Sequence, residues 1–254
     1  MVALRSVIFL VLFSALSAAP ALAYQQMEFV RELGEAGKKA KPQLFKNPRA
    51  LALNGDRLHV ADTNNHRVVV LDLNGKILLT WGMKGNKPGE FKNPGGIALD
   101  EQGRIYIADT GNNRVQVFDS EGKWLRGFGI KGDGPREFNE PAGIAVSHGI
   151  VYLADTGNSR VQVMTTDGIA IRQITVKTAS DEMKDPVGVA VDRQNRIYVV
   201  EAKGSMVRIF DSSGGQVRAF GARGSGVEGF DRPQGIAVDP RGNIYVSDME
   251  NHKV

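Results

Sequence analysis

From residue 27 onward, short runs of β-branched and aromatic residues alternate with clusters of Gly, Asn, Asp and Thr. The stretch 105–122, IYIADTGNNRVQVFDSEG, shows the unit. Two apolar runs flank a polar segment and a Ser120-Glu121-Gly122 turn follows, which predicts two β-strands joined by a hairpin. Near-copies stand at Ala61 (ADTNNHRVVVLDLNG), Ala154 (ADTGNSRVQVMTTDG) and Val200 (VEAKGSMVRIFDSSG), and a fifth begins at Ser247 (SDMENHKV). Successive copies lie 47, 46, 46 and 47 residues apart, and a fixed period of this size marks a repeat architecture.

Each period carries four strand signals with no helical periodicity between them, so the fold class is all-β. The first strand of each period follows a proline: PGGIAL from Pro94, PAGIAV from Pro141, PVGVAV from Pro186, PQGIAV from Pro233, with PRALAL from Pro48 as the first copy. These strands are apolar on both faces, with Gly or Ala at alternate positions. A sandwich strand would alternate apolar with polar instead. Crowded strands buried on both faces suit sheets packed radially around an axis, where converging backbones admit only small side chains. The expected architecture is therefore a β-propeller of four-stranded blades, at about 48–82, 94–129, 141–176 and 186–221, with a partial blade at 233–254.

The words P-x-G-I-A-V-D, I-Y-V-A-D-T and N-N-R-V-Q-V-F resemble NHL-repeat propellers, and Asn65-His66-Arg67 and Asn251-His252-Lys253 are variants of one family element. The resemblance covers about residues 27–254. It implies a six-bladed ring, of which the sequence displays five repeats, and so a chain truncated at its C-terminal end by about one blade. A segment at 27–34, matching a fourth strand, is expected to close the ring by pairing with the last blade. The resemblance leaves activity open, because the family includes enzymes, nucleic-acid binders and adaptors.

Residues 1–23 stand apart from the repeats. Arg5, an apolar core at 7–16 and Ala21-Leu22-Ala23 before Tyr24 read as a secretory signal peptide, leaving a propeller at 24–254 that is periplasmic or extracellular. The apolar run is too short to span a bilayer, and none follows it. The chain of 254 residues has no cysteine, which excludes disulfides and thiolate chemistry. Without Arg5 the mature chain has 31 basic and 28 acidic residues, a net charge of +3, which permits an anionic partner without requiring one.

Three Asp/Arg pairs, Asp62/Arg67, Asp109/Arg114 and Asp155/Arg160, sit five residues apart at the two ends of the hairpins. An Asp there can accept backbone N–H groups and the Arg fork can return to its carboxylate. A group repeated in every blade supports every blade, so these are expected to be structural. In the fourth copy both are lost together, to Glu201 and Met206, which predicts an unpaired Glu201. Phe45, Phe91, Phe138 and Phe230 recur at one register and read as blade-packing core.

No catalytic cluster emerges. The amidating lyases that share the resemblance hold zinc through histidines at the axial starts of inner strands. Here those positions are Arg49, Gly95, Ala142, Val187 and Gln234, while His59, His66, His148 and His252 stand elsewhere. No metal and no cofactor is expected. The axial residues vary while the scaffold repeats, as a ligand-reading ring would, and they share a face with the long loops between blades. The first loop carries Lys38, Lys39, Lys41 and Lys46, and the second Lys84, Lys87 and Lys92, whereas the third, with Lys131 and Arg136, is slightly acidic. The expected function is a non-catalytic binding module that docks a protein or anionic polymer through Arg49, Gln234, Lys38, Lys39, Lys84 and Lys87. Nucleic acid is disfavoured by export and by the lack of stacking aromatics in these loops. The alternative is a metal-dependent lyase or lactonase working at the central channel.

Overall fold

The computed structural model describes residues 45–254, together with the backbone of a two-residue ladder between Ile8–Phe9 and Glu32–Leu33. The expected signal peptide at 1–23 otherwise lies outside the described residues, as do Lys38, Lys39 and the rest of the expected closing strand at 27–34. Glu32–Leu33 pairs with Ile8–Phe9 there. Among the described residues, no helix is long and apolar enough to cross a membrane.

Four sheets of four antiparallel strands follow one another along the chain, each in simple meander order. The first blade comprises Ala50–Asn54, Arg57–Asp62, Arg67–Asp72 and Ile77–Trp81. The second comprises Gly96–Leu99, Ile105–Asp109, Arg114–Phe118 and Trp124–Phe128. The third has Pro141–Ser147, Ile150–Asp155, Arg160–Thr165 and Ala170–Ile174, and the fourth Pro186–Val191, Ile197–Glu201, Met206–Phe210 and Gln216–Phe220. A fifth sheet pairs Pro233–Val238 with Ile244–Asp248. The sixth blade of the expected ring is not among the described residues.

The inner strands show why the sequence alternates small and branched residues. Ile97 and Leu99 pack back against the first blade, in a cluster with Ala61, Val68 and Phe91. Ala98 packs forward against Ile144 and Val146 of the third blade. Ala145 and then Val189 and Val191 repeat the scheme at the next seam. Glycine is required where the backbones converge. A Cβ on Gly96 would stand 2.3 Å from the Ala142 carbonyl oxygen, one on Gly143 2.6 Å from that of Val187, and one on Gly188 2.8 Å from that of Gln234. The first blade lacks a described neighbour on its other face, and there Leu51 and Leu53 are 39% and 53% exposed, against 5% for the equivalent Ile97.

The aromatic register also does what its recurrence predicts. Phe45, Phe91 and Phe138 are buried, Met183 takes the same place in the fourth blade, and Phe230 is partly buried against Val200 and Val207. Each such side chain contributes roughly 1.5–3 kcal/mol of burial. The Phe91 ring lies flat against Gly82, whose φ of +93° and ring distance of 2.5 Å from a hypothetical Cβ exclude any larger residue.

Candidate functional site on the loop-bearing face

One face of the sheets carries short turns. The other carries the long loops between blades and the tips of the hairpins that join second to third strands. What the loops can present depends on what holds them, and the hairpins hold them.

The hairpin tips of the first three blades are single 3₁₀ turns, Thr63–Asn65, Thr110–Asn112 and Thr156–Asn158, each closed by a residue in the left-handed region: His66, Asn113 or Ser159. The aspartate before each turn is fully buried. Asp109 accepts the Lys92 N–H at 2.8 Å, the Asn112 amide at 2.9 Å and Arg114 Nε at 2.8 Å. Asp62 and Asp155 repeat the set, with Arg67 and Arg160 at 2.7 Å. The remaining donors of Arg114 reach the carbonyls of Asn86, Lys87 and Glu90 in the preceding long loop, at 2.8–2.9 Å. Gln116 adds a bond to the Glu90 carbonyl at 2.8 Å and receives the Gly89 N–H at 3.0 Å. Arg160 and Gln162 clamp the next loop on Gly134 and Glu137 in the same manner. In the fifth blade Lys253 takes the role with Gly226 and Gly229. The Asp/Arg pairs thus pin the loops as well as the hairpins.

Glu201 departs from expectation. It is buried and paired with Arg208 Nε, and it accepts the Lys184 N–H at 2.7 Å. Arg208 stands where Gln116 and Gln162 stand in earlier blades, two residues beyond the arginine position that Met206 now fills. Strand side chains alternate faces, so a shift of two keeps the guanidinium on the same face, and the longer Glu spans the gap. The fork of Arg208 then holds Asp181 in the loop through two bonds of 2.6 Å. Arg208 holds the Asp181 carboxyl below the usual carboxylate range, while burial pushes Glu201 above it.

The opposite face carries a second repeated carboxylate device that was not among the positions singled out from the sequence. Asp100 accepts Arg104 Nε at 2.6 Å and the Tyr106 hydroxyl at 3.0 Å, and Asp192 does the same with Arg196 and Tyr198. The signal was present as D-x-x-G-R-I-Y at Asp100, with an echo at Asp239. In the first blade His59 replaces the tyrosine. Burial and the nearby Arg57 lower its pKa to about 4, so it is neutral at physiological pH, and its Nδ1 has no partner. Among the described residues, no three His, Cys, Asp or Glu side chains cluster as metal ligands.

Between the first three blades, the loop-bearing face opens into a cleft of about 500 Å³ lined by Arg49, Lys92, Thr110, Lys131, Asn139 and Glu140, among others. Gly95 and Ala142 hold the register of Arg49 at the next two inner-strand starts, and a Cβ on Gly95 would stand 3.6 Å from Ala142. Among the described residues, no hydrogen bond or ion pair engages the side chains of Arg49, Lys92 or Lys131. Two loop carboxylates are spent elsewhere, Glu90 on the N–H groups of Asn86 and Lys87 and Glu137 on those of Asp133 and Gly134, which leaves Glu140 as the one acid in the lining. Of the residues expected to bind ligand, Arg49 lies in this cleft. Lys84 and Lys87 lie on the exposed second loop, and Gln234 starts the fifth inner strand; none of the three lines the cleft. Lys92 and Lys131 are the additions.

Four segments, 45–71, 91–118, 138–164 and 230–254, match the NHL repeat. They fall on the first, second, third and fifth blades, and the fourth, with its rewired hairpin, is passed over. No curated protein matches the chain. Among solved structures it is similar to a chain of a nidogen/laminin complex, with 17% identity and a TM-score of 0.65 over 91% of this chain and 81% of that one. It is also similar to a catalytically inactive virginiamycin B lyase from Staphylococcus aureus bound to quinupristin, with 17% identity, a TM-score of 0.62 and coverage of 83% and 66%. A glutaminyl cyclase from Myxococcus xanthus follows the same fold at 16% identity and a TM-score of 0.55, over 79% and 84%. The chain spans less than two thirds of the lyase chains, 63% of a streptogramin B lyase and 66% of the virginiamycin B lyase. The chain thus carries NHL repeats, and these likenesses establish the architecture of a β-propeller with four-stranded blades.

Proposed function

We propose that the protein is a non-catalytic, extracytoplasmic binding module that docks a protein or anionic polymer on its loop-bearing face. The observation that supports this most is the contrast in how charges are used there. Hairpin arginines and the loop carboxylates Glu90 and Glu137 are engaged by the scaffold, whereas among the described residues Arg49, Lys92 and Lys131 have no hydrogen-bond or ion-pair partner around a cleft whose one acid is Glu140. Unpaired cations held on pinned loops raise the local concentration of an anionic partner and are pre-organised to receive it. Lys84 and Lys87 extend the basic sector outward, and Lys38 and Lys39 add positive charge to the first loop in the sequence. Export rests on the signal at 1–23, and the mature protein should begin at Tyr24 on N-terminal sequencing.

The test is retention on an immobilised anionic polymer across a salt series. A variant combining Lys38→Glu, Lys39→Glu, Lys84→Glu and Lys87→Glu should bind more weakly and with a shallower salt dependence. Equal retention of variant and parent would reduce these lysines to solvation of the loops.

A further inference from the structure

Resting on the binding-module reading, we infer that the cleft between the first three blades seats a single oxyanion group of the ligand, a carboxylate or phosphate, gripped by Arg49, Lys92, Lys131 and the hydroxyl of Thr110. The comparison of three equivalent threonines points to it. Thr63 donates its hydroxyl to the Pro94 carbonyl of the next blade at 2.7 Å, and Thr156 donates to Pro186 at 2.6 Å. These bonds staple neighbouring blades. Thr110 makes no such bond to Pro141 and retains only a contact of 3.5 Å with the Ala108 carbonyl. Its hydroxyl is turned to Gly95 instead, 2.5 Å from where a Cβ on that glycine would stand, and Gly95 leaves the space open. The one threonine released from stapling is also the one that lines the cleft.

The charges agree with that reading. Three cations and Glu140 leave the lining at +2, enough to hold one oxyanion while Glu140 repels a second beside it. A guanidinium offers a planar fork, the lysines point charges, and the hydroxyl a neutral donor that fixes orientation. A space of about 500 Å³ far exceeds one carboxylate, so the oxyanion is an end or side group of something larger.

The experiment titrates inorganic phosphate and, separately, a monomeric uronic acid into the protein by calorimetry, and repeats each as a competitor against the anionic polymer. Saturable binding of one of them is expected, and which one binds tells phosphate from carboxylate. Thr110→Val and Arg49→Gln should each weaken that binding about ten-fold or more, the usual range for a lost hydrogen bond to a charged group. Thr110→Ser should restore it. Thr63→Val and Thr156→Val should lower the melting temperature and leave anion affinity unchanged, because their hydroxyls are engaged between blades. If the polymer binds but neither small anion does, or Thr110→Val changes nothing, the oxyanion seat is wrong while the docking surface stands. If a small anion binds and the polymer does not, the seat stands and the polymer-docking reading falls.

Discussion

The second and fourth blades reach one result by different wiring. In the second, Asp109 is joined by Arg114 from five residues away and Gln116 from seven, and these two side chains hold the loop ahead of them. In the fourth, the carboxylate is one methylene longer, the arginine has moved to the seventh position, and the Asp181 carboxylate joins the Glu182 carbonyl as its far partner. A buried anion, a cation reaching it from the third strand, and a tethered loop survive the change. What is kept is a mechanical function. Catalytic chemistry would tie a carboxylate to one length and one geometry, whereas loop tethering tolerates both.

The largest effect should come from breaking the rewired version. Arg208→Met would leave Glu201 buried beside no cation, and loss of one partner from a buried pair costs about 3–5 kcal/mol. Urea denaturation should report that loss, and adding Met206→Arg with Glu201→Asp should recover much of it by rebuilding the wiring of the second blade. A loss below about 1 kcal/mol would mean that the triad is decoration, as surface pairs are.

A smaller effect separates an enclosed seam from an unenclosed one. Gly143→Ala places a methyl group 2.6 Å from a carbonyl oxygen of the fourth blade and should cost about 1–3 kcal/mol by overpacking. Gly235→Ala, at the same register of the fifth blade, meets only the Ser247 hydroxyl at 3.0 Å and should cost less than half as much. Equal penalties would argue against converging inner strands as the reason for glycine.

The fold was readable in the chain because its determinants are local and repeated. The P-x-G-I-A-V strands, the Phe register and the turn glycines each encode a contact between neighbouring blades, and repetition multiplies the signal. The Asp/Arg spacing of five was readable for the same reason. Arg208 was less legible because it lies outside the spacing of five, although a strand keeps one face at every second residue and an arginine in the row of Gln116 and Gln162 carries the signal. The Asp100–Arg104–Tyr106 set escaped although its words recur. The cleft was only half legible. Arg49 follows from its axial register, but which loop lysines converge beside it depends on carbonyls pinned by Arg114 and Arg160 from other strands. Loop composition carries no record of that.

Hydrogen exchange of the loop at 82–93 in an Arg114→Gln variant tests most directly whether the hairpins hold the binding face in place. Amides of Gly85, Gly89, Glu90 and Phe91, all hydrogen-bonded in the clamped loop, should exchange at least about ten-fold faster, while the loop at 129–140, held by Arg160, keeps its protection. Unchanged exchange at 82–93, or equal acceleration in both loops, would contradict the account.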